Sequence, residues 1–348
     1  MCLYPKLIKN RKYTANKKNG GVIPSLPFRI FNGKKIKDER VLYVPVGCGK
    51  CMECLKKKSR EWQVRLQEEI KNDRKGIFVT LTFSNESIQE LSEGIKLEGY
   101  ELDNEIARLG VRRFLERWRK KYKKSVKHWL VTELGHQGTE NIHLHGIIFT
   151  DKGNSIEDIW QYGYTWQSDK NNGFVNEQTI NYIIKYTNKI DKQHQYYKSL
   201  ILTSAGIGKD YVKSSNSKNN KYNGNNTKEF YKSRKGNKLS LPIYYRNKIY
   251  TDEEKEKLWI QKLEEKVRYV NGVKIDISDG EENYYKALMI ARQQNRRLGY
   301  GNDEKNWDRI KYERERRNML YKERLKTTEE KIKENCSTIP IGKIEDAF

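Results

Sequence analysis

The run Asn141-Ile-His-Leu-His-Gly-Ile-Ile-Phe149 constrains the fold of this chain more than any other stretch. Side chains on a β-strand alternate between its two faces, so His143 and His145 share one face while Leu144 and Ile148 share the other. Neutral imidazole is a common metal ligand, and a strand holds two imidazoles with little conformational freedom left to lose. The run therefore predicts a half-buried strand whose histidines either bind a metal or are ordinary strand residues.

The segment before this run completes a predicted hairpin. His128-Trp-Leu-Val-Thr-Glu-Leu134 reads as a second strand, and the turn-rich residues 135–141 join the two strands. Antiparallel folding brings Glu133, near the end of the first strand, close to His143 at the start of the second. A carboxylate and two imidazoles on one sheet would form a three-ligand site with open positions for substrate oxygens. A metal that grips a phosphate needs those open positions.

Three further segments complete the predicted core. Gly76-Ile-Phe-Val-Thr-Leu-Thr-Phe83 alternates apolar and polar residues and predicts another strand. Residues 55–71 and 103–124 carry apolar stripes at helical spacing, with lysine and arginine elsewhere, and predict amphipathic helices. The basic side of the second helix could follow a phosphate backbone, although a charge run is usually just solvated.

A tyrosine-rich segment follows at residues 176–189, which we predict to be helical despite its β-branched content. Tyr182, Lys185 and Tyr186 stand at positions i, i+3 and i+4, so all three project from one helix face. A tyrosine hydroxyl can attack a phosphodiester, and a nearby lysine can neutralise the developing charge. The alternative is that the tyrosines pack against the protein with their hydroxyls at the rim.

The segment Cys48-Gly-Lys-Cys51-Met-Glu-Cys54 contains two overlapping Cys-x-x-Cys spacings. Thiolates at this spacing can close on one tetrahedral Zn²⁺, and the fourth ligand must then come from elsewhere, such as Cys2 or His136. Buried free thiols and a redox dithiol are the alternatives.

The charge balance favours a polyanionic partner. The 348 residues include 70 Lys and Arg against 46 Asp and Glu, a net charge of +24, so nucleic acid is the first candidate and a membrane surface the second. An A- and T-rich genome would also enrich Lys, Asn, Ile and Tyr, so charge alone does not decide. No apolar run approaches the roughly 20 residues that span a bilayer, and the start lacks the apolar core of a secretory signal. We therefore expect a cytosolic protein.

The rest of the chain is less informative. Thr203-Ser-Ala-Gly-Ile-Gly-Lys-Asp210 lacks the first glycine and the final hydroxyl residue of a phosphate loop, which excludes an ATPase. Further expectations are an irregular arm over residues 1–45 that ends in a strand, a flexible basic loop at 212–238, a helix from the capping box Thr251-Asp-Glu-Glu254 to about Val270, and helices at 283–297 and 303–335.

In this order, the threonine-rich strand, the Glu-to-His-x-His hairpin and the Tyr-x-x-Lys-Tyr helix resemble the HUH endonuclease superfamily. They most resemble the replication initiators of microviruses, the gokushovirus-like single-stranded DNA phages. The Met-Cys start, the cysteine-rich turn before a Trp-containing helix and the Pro-Ile-Tyr-Tyr segment at 242–245 resemble the same initiators. The resemblance covers roughly residues 1–250.

The resemblance implies an α+β fold with a central antiparallel β-sheet flanked by helices, and the predicted order of elements permits it. We expect an N-terminal arm, cysteine cluster and basic helix at 1–75, an endonuclease domain at 76–250 and a charged helical C-terminal region at 251–348. By the same resemblance, Glu133, His143 and His145 bind Mg²⁺ or Mn²⁺. Tyr182 and Tyr186 would be the nucleophiles, assisted by Lys185. The resemblance gives the cysteines no catalytic role, so a structural Zn²⁺ on Cys2, Cys48, Cys51 and Cys54 remains an expectation from spacing.

The implied function is rolling-circle initiation: nicking of phage DNA at the origin through a 5′-phosphotyrosine intermediate, followed by rejoining of the ends. Implied partners are single-stranded and replicative-form origin DNA with a host helicase and polymerase, in the host bacterial cytoplasm and without a membrane. A relaxase or transposase of the same superfamily, and a non-catalytic DNA-binding protein, are the alternatives.

Overall fold

The computed structural model describes residues 2–136, 140–168, 175–191, 193–194 and 197–300, together with Asn318. The helix predicted at 303–335 therefore lies outside the described residues, apart from Asn318. Within the described part of the chain, no helix is both long enough and apolar enough to cross a membrane.

Strands and helices alternate along the described chain. The strands are β1 (Lys6–Lys9), β2 (Phe28–Phe31), β3 (Lys34–Lys37), β4 (Tyr43–Val46), β5 (Gly76–Thr82), β6 (Lys127–Leu134), β7 (Ile142–Phe149), β8 (Thr165–Gln167), β9 (Ile201–Thr203), β10 (Phe230–Lys232), β11 (Lys238–Ser240), β12 (Val267–Val270) and β13 (Val273–Asp276). The α-helices are α1 (Met52–Asn72), α2 (Asn85–Ser92), α3 (Gly99–Tyr122), α4 (Asn154–Ile159), α5 (Glu177–Ile184), α6 (Ser215–Lys218), α7 (Ile243–Ile249), α8 (Asp252–Glu264) and α9 (Glu282–Arg297).

The described chain divides into two compact units. The sheet unit comprises Leu66–Gly208, and the cysteine unit comprises residues 2–65 and 209–300. The three-part division proposed from the sequence stays a prediction.

The sheet unit contains a five-stranded antiparallel sheet in the order β8-β5-β7-β6-β9. Together with the flanking helices, this sheet confirms the predicted α+β fold. The predicted hairpin is also confirmed, because β6 pairs with β7 so that Glu133 lies opposite His143. On the other side of β7, Thr80 lies opposite His145.

The face of the sheet that points away from the two histidines carries the main core. Helix α3 packs there, and this core includes Val79, Leu81, Leu130, Leu134, Leu144 and Ile148 from the strands with Ile106, Phe114 and Trp118 from the helix. Burying each large apolar side chain stabilises the fold by about 1.5–3 kcal/mol. The strands that present the histidines are therefore fixed from behind by packing.

Gly146 shows how closely β6 and β7 approach each other. A Cβ atom on Gly146 would lie 2.1 Å from the carbonyl oxygen of Trp129 and 2.7 Å from the Cα of Leu130. Any side chain at this position would push β6 away from β7, and Glu133 lies on β6.

In the cysteine unit, the N-terminal arm is more regular than predicted. It ends in a strand as expected, but β4 pairs with β1, and β2 pairs with β3 as a separate hairpin. These strands are short and largely exposed, so their sequences lack the sustained alternation by which a half-buried strand is recognised.

The prediction of a flexible loop at residues 212–238 was wrong, because α6 and β10 lie within it. The side chain of Asn220 is buried and holds the segment: it accepts a hydrogen bond from Tyr211 Oη at 2.6 Å and donates to the carbonyls of Lys228 and Phe230. A polar composition predicts a loop, whereas this buried asparagine orders the backbone around it.

The capping box of Thr251 and Glu254 is confirmed at the start of α8, but the helix ends at Glu264 rather than near Val270. A two-residue turn, Asn271-Gly272, then joins β12 to β13, and both turn residues have positive φ angles, 52° and 84°. Asn-Gly at this spacing favours a hairpin, so the sequence contained a signal that the helix prediction overlooked. The helix predicted at 283–297 is confirmed as α9.

Candidate active site

The register of β6 and β7 brings the three predicted metal ligands together. Glu133 Oε2 lies 3.0 Å from His145 Nε2 and 3.5 Å from His143 Nε2. One potential ligand atom from each of the three residues lies within 4.8 Å of the others. We call this group the carboxylate–histidine cluster. All three side chains are partly exposed, so a substrate can reach them.

Contacts on the far side of each imidazole orient the two rings. His143 Nδ1 lies 3.3 Å from the carbonyl oxygen of Asn141, and His145 Nδ1 lies 3.1 Å from Thr80 Oγ1. A carbonyl only accepts, so it fixes the hydrogen of His143 on Nδ1 and leaves Nε2 of the neutral ring as an acceptor. Both Nε2 atoms then face the Glu133 carboxylate.

The electrostatics of the cluster favour a bound cation. Burial lowers the pKa of His145 below its ordinary value, which favours the neutral ring. Burial would raise the pKa of Glu133, but the imidazoles of His143 and His145 more than offset it, and the pKa of this carboxyl is held well below its usual range. An ionised carboxylate therefore faces imidazole nitrogens that can themselves accept.

His145 Nε2 provides a direct test of whether a metal fits. This atom is buried, and among the described residues no group forms a hydrogen bond with it, although Glu133 Oε2 is only 3.0 Å away. A buried nitrogen lone pair without a donor is costly unless a cation or a proton satisfies it. Imidazole and carboxylate ligands suit Mg²⁺ and Mn²⁺, and three protein ligands leave positions open. The residues present therefore fit a divalent cation.

Helix α5 carries the predicted tyrosines. It begins after Asn176, whose side chain accepts hydrogen bonds from the backbone of Gln178 and Thr179, and it continues as a 3-10 turn over Lys185–Thr187. This arrangement confirms the helix predicted over residues 176–189, with a tighter last turn. The isoleucines Ile180, Ile183 and Ile184 are buried, which turns the tyrosine face outward.

The two tyrosines lie against the carboxylate–histidine cluster. The ring of Tyr186 stacks on the imidazole of His145, with centroids 4.4 Å apart and planes 8° from parallel. Its hydroxyl donates a hydrogen bond of 2.8 Å to the hydroxyl of Tyr182, which is 50% exposed. The edge of Tyr182 contacts Phe78. Both hydroxyls therefore stand beside one metal-ligand histidine, and one of them is open to substrate.

The hydroxyl of Tyr186 is held in its protonated form. Burial raises its pKa, and the hydrogen bond to Tyr182 and the negative charge of Glu133 raise it further. Tyr186 therefore acts as a donor toward Tyr182 in the absence of DNA.

The lysine that contacts the cluster is not the predicted one. Lys185 is exposed, whereas Lys189 Nζ lies 3.1 Å from Glu133 Oε1 and 6.0 Å from the centre of the Tyr186 ring. Sequence reasoning missed Lys189, although it stands three residues after Tyr186 and seven after Tyr182, on the same face of a continuing helix. Its charge complements the oxygen of Glu133 that points away from the histidines.

A second histidine group lies near the end of the hairpin. The buried side chain of His194 contacts Asp191 Oδ2 at 2.6 Å through Nδ1 and Glu140 Oε2 at 2.8 Å through Nε2, and His136 Nδ1 lies 3.5 Å from Asp191. His136 therefore groups with Asp191 and His194, and the fourth thiol near Cys51 is that of Cys2. The pattern of the sequence gave no indication of a role for His194.

Comparison with known proteins gives one match. The family described as Replication-associated protein ORF2 matches residues 76–191. No curated protein and no solved structure shows a significant match. The matched region includes Glu133, His143, His145, Tyr182 and Tyr186. The similarity supports a role in the initiation of replication for the region that carries the candidate site.

Proposed function

We propose that this chain is a rolling-circle replication initiator of the HUH endonuclease type from a microvirus-like phage. It would nick origin DNA through metal-assisted attack by a tyrosine and later rejoin the ends. One observation carries the proposal: the tyrosine pair lies directly on the carboxylate–histidine cluster, with Tyr186 stacked on His145 and bonded to Tyr182.

Glu133, His143 and His145 would hold the cation. Bound there, Mg²⁺ or Mn²⁺ would polarise the scissile phosphate and neutralise the charge that develops on it. Thr80 and the carbonyl of Asn141 keep the two imidazoles turned toward Glu133. The histidines transfer no proton in this scheme, because their Nε2 atoms serve as ligands.

The bond changes are those of a phosphodiester exchange. A tyrosine Oη attacks the phosphorus opposite the 3′-oxygen of the preceding nucleotide. The P–O3′ bond breaks as the O–P bond to tyrosine forms, the tyrosine proton passes to solvent, and the 3′-oxygen takes up a proton. The products are a free 3′-hydroxyl, which a host polymerase can extend, and a 5′-phosphotyrosine. One phosphodiester replaces another, so a later 3′-hydroxyl can reverse the step and close a circle.

We assign the first attack to Tyr182. Its exposed hydroxyl is open to DNA, and the hydrogen bond that it accepts from Tyr186 would stabilise its oxygen as negative charge develops. Tyr186 would then cut the regenerated origin while Tyr182 still holds the earlier end.

Basic residues would support binding of the DNA. Lys189 balances the charge of Glu133, and the exposed Lys185 on the same helix face can contact the phosphate backbone. The net charge of +24 favours association with single-stranded and replicative-form DNA in the host cytoplasm, where a host helicase and polymerase would act on the nicked template.

A covalent-adduct assay tests this function. The probes are labelled single-stranded oligonucleotides that tile the genome encoding the chain, incubated with the purified protein and Mn²⁺. We expect one oligonucleotide to give a protein–DNA adduct that resists denaturation, and we expect Tyr182→Phe plus Tyr186→Phe to abolish it.

Tyr285→Phe is the matched control, because Tyr285 is an equally exposed tyrosine in the cysteine unit. Failure of the wild-type protein to form any adduct, while it still binds DNA, would favour a non-catalytic DNA-binding protein. An adduct on many unrelated sequences would favour a less specific strand transferase.

A further inference from the structure

We propose that Cys2, Cys48, Cys51 and Cys54, here called the cysteine cluster, bind one structural Zn²⁺ ion. One Sγ atom from each residue lies within 4.8 Å of the others. The Sγ atoms of Cys2 and Cys51 are 3.9 Å apart, and those of Cys48 and Cys54 are 4.0 Å apart. Tetrahedral zinc with Zn–S bonds of about 2.3 Å requires sulfur separations of roughly 3.8 Å. These two pairs therefore match opposite edges of a tetrathiolate tetrahedron.

The same distances argue against a disulfide framework. All four cysteines are free, and a disulfide would bring two sulfur atoms to about 2.05 Å. Four thiols that converge on one point, instead of pairing two by two, are arranged for a shared central ion.

The backbone supplies hydrogen bonds suited to negatively charged sulfur. The N–H groups of Tyr4 and Cys48 both donate to Cys2 Sγ, at 3.3 and 3.2 Å, and the N–H of Cys51 donates to Cys48 Sγ at 3.3 Å. A neutral thiol is a weak acceptor, whereas a thiolate is the form that binds metal. Several N–H donors directed at two of the four sulfurs favour that form.

The backbone also leaves room for the fourth thiol. A Cβ atom on Gly47 would lie 3.0 Å from Cys54 Sγ, so a larger residue at position 47 would crowd this sulfur. Gly49, in the turn between Cys48 and Cys51, has a φ of +74°, a conformation that glycine adopts at little cost.

The surroundings indicate a structural role for the ion. Cys51 is fully buried, and the cluster packs with Leu3, Met52, Leu288 and Ala291 in a small core of its own. Four protein ligands complete the tetrahedron and leave no position for a substrate, as in structural zinc sites. The ion would join the N-terminal residues to the turn before α1, and Arg292 of α9 donates to the carbonyl of Leu3 in the same core.

Metal analysis of the full chain tests this inference. Protein purified under reducing conditions without chelators should contain about one zinc per chain by mass spectrometry of the element, as a single tetrathiolate site requires. Cys54→Ser should lose that zinc. Cys336→Ser should retain it, because Cys336 is the one cysteine of the sequence outside the cluster.

A measurement on the wild-type chain covers the case in which Cys54→Ser fails to fold. Replacement of zinc by Co²⁺ should give the intense visible bands of a tetrahedral tetrathiolate site. A wild-type protein that lacks zinc after expression with ample zinc, that carries iron in its place, or that contains two disulfides would overturn the assignment. None of these outcomes depends on DNA cleavage, so the inference and the proposed function fail independently.

Discussion

The carboxylate–histidine cluster and the cysteine cluster differ in chemistry and in placement. The first has three mixed oxygen and nitrogen ligands on two strands of a sheet, and all three side chains are partly exposed. The second has four sulfur ligands on a terminal segment and a turn, packed into a small core around the buried Cys51. Hard ligands with open positions suit a metal that handles phosphate, whereas a closed set of thiolates suits zinc that stabilises a fold. One chain therefore contains two groups with the features of metal sites, and their openness separates catalysis from structure.

The largest expected effect concerns the open cluster. His143→Ala plus His145→Ala should lower the rate of adduct formation by about 10³-fold or more, because several kcal/mol of charge stabilisation are lost with the metal. Salt-sensitive DNA binding and zinc content should remain, which filter binding and metal analysis can measure. Equal loss of cleavage in Cys54→Ser protein that is still folded would break the distinction between the two clusters.

The next effect concerns the backbone that supports the open cluster. In Gly146→Ala the new methyl group would collide with the carbonyl of Trp129, so we expect the free energy of unfolding to fall by at least about 2 kcal/mol. Urea denaturation measures this change. Gly135→Ala is the control, because its new Cβ would approach no atom closer than 3.4 Å. An unchanged stability of Gly146→Ala would contradict the close approach of β6 and β7.

A smaller effect is expected where the protein orients a ligand. Thr80→Val removes the hydroxyl that contacts His145 Nδ1, and loss of such a contact typically weakens metal binding about 10- to 100-fold. The Mn²⁺ concentration for half-maximal adduct formation should rise accordingly. Thr82→Val is the matched control on the same face of β5, because its hydroxyl donates to the carbonyl of Tyr164. Equal effects of both changes would mean that the contact with His145 does not orient the ring for metal binding.

The smallest expected effect concerns the closed cluster. Gly47→Ala should increase the rate of zinc transfer to a competing chelator by a few-fold, about 1 kcal/mol, since its Cβ would press on Cys54 Sγ at 3.0 Å and the sulfur must shift slightly. Adduct formation should stay at the wild-type rate. A change in cleavage without a change in zinc release would show that we have misassigned what Gly47 supports.

The sequence predicted those parts of the site that depend on local periodicity. Strand alternation placed His143 and His145 on one face, antiparallel folding placed Glu133 near His143, and helical spacing placed Tyr182 and Tyr186 together. It failed where contacts join residues far apart in sequence. The pairing of Lys189 with Glu133 and the position of His194 between Asp191 and Glu140 depend on how the segment after α5 meets the hairpin.

Two errors in the fold have different causes. The order of residues 212–238 depends on the buried Asn220, and polar composition cannot reveal which asparagine will be buried. The hairpin at 267–276 had a local signal in Asn271-Gly272, but the helix that opens at Thr251 was extended across it. The first error needed tertiary information, whereas the second could have been avoided from the sequence.

Peptide mapping of the covalent adduct by mass spectrometry tests the central claim most directly. The DNA-linked protein, formed with Mn²⁺ and digested with protease and nuclease, should carry a residual nucleotide on Tyr182, and omission of the metal should leave that peptide unmodified. A nucleotide attached outside Tyr182 and Tyr186, or the same adduct in protein that lacks Glu133, His143 and His145, would contradict the account.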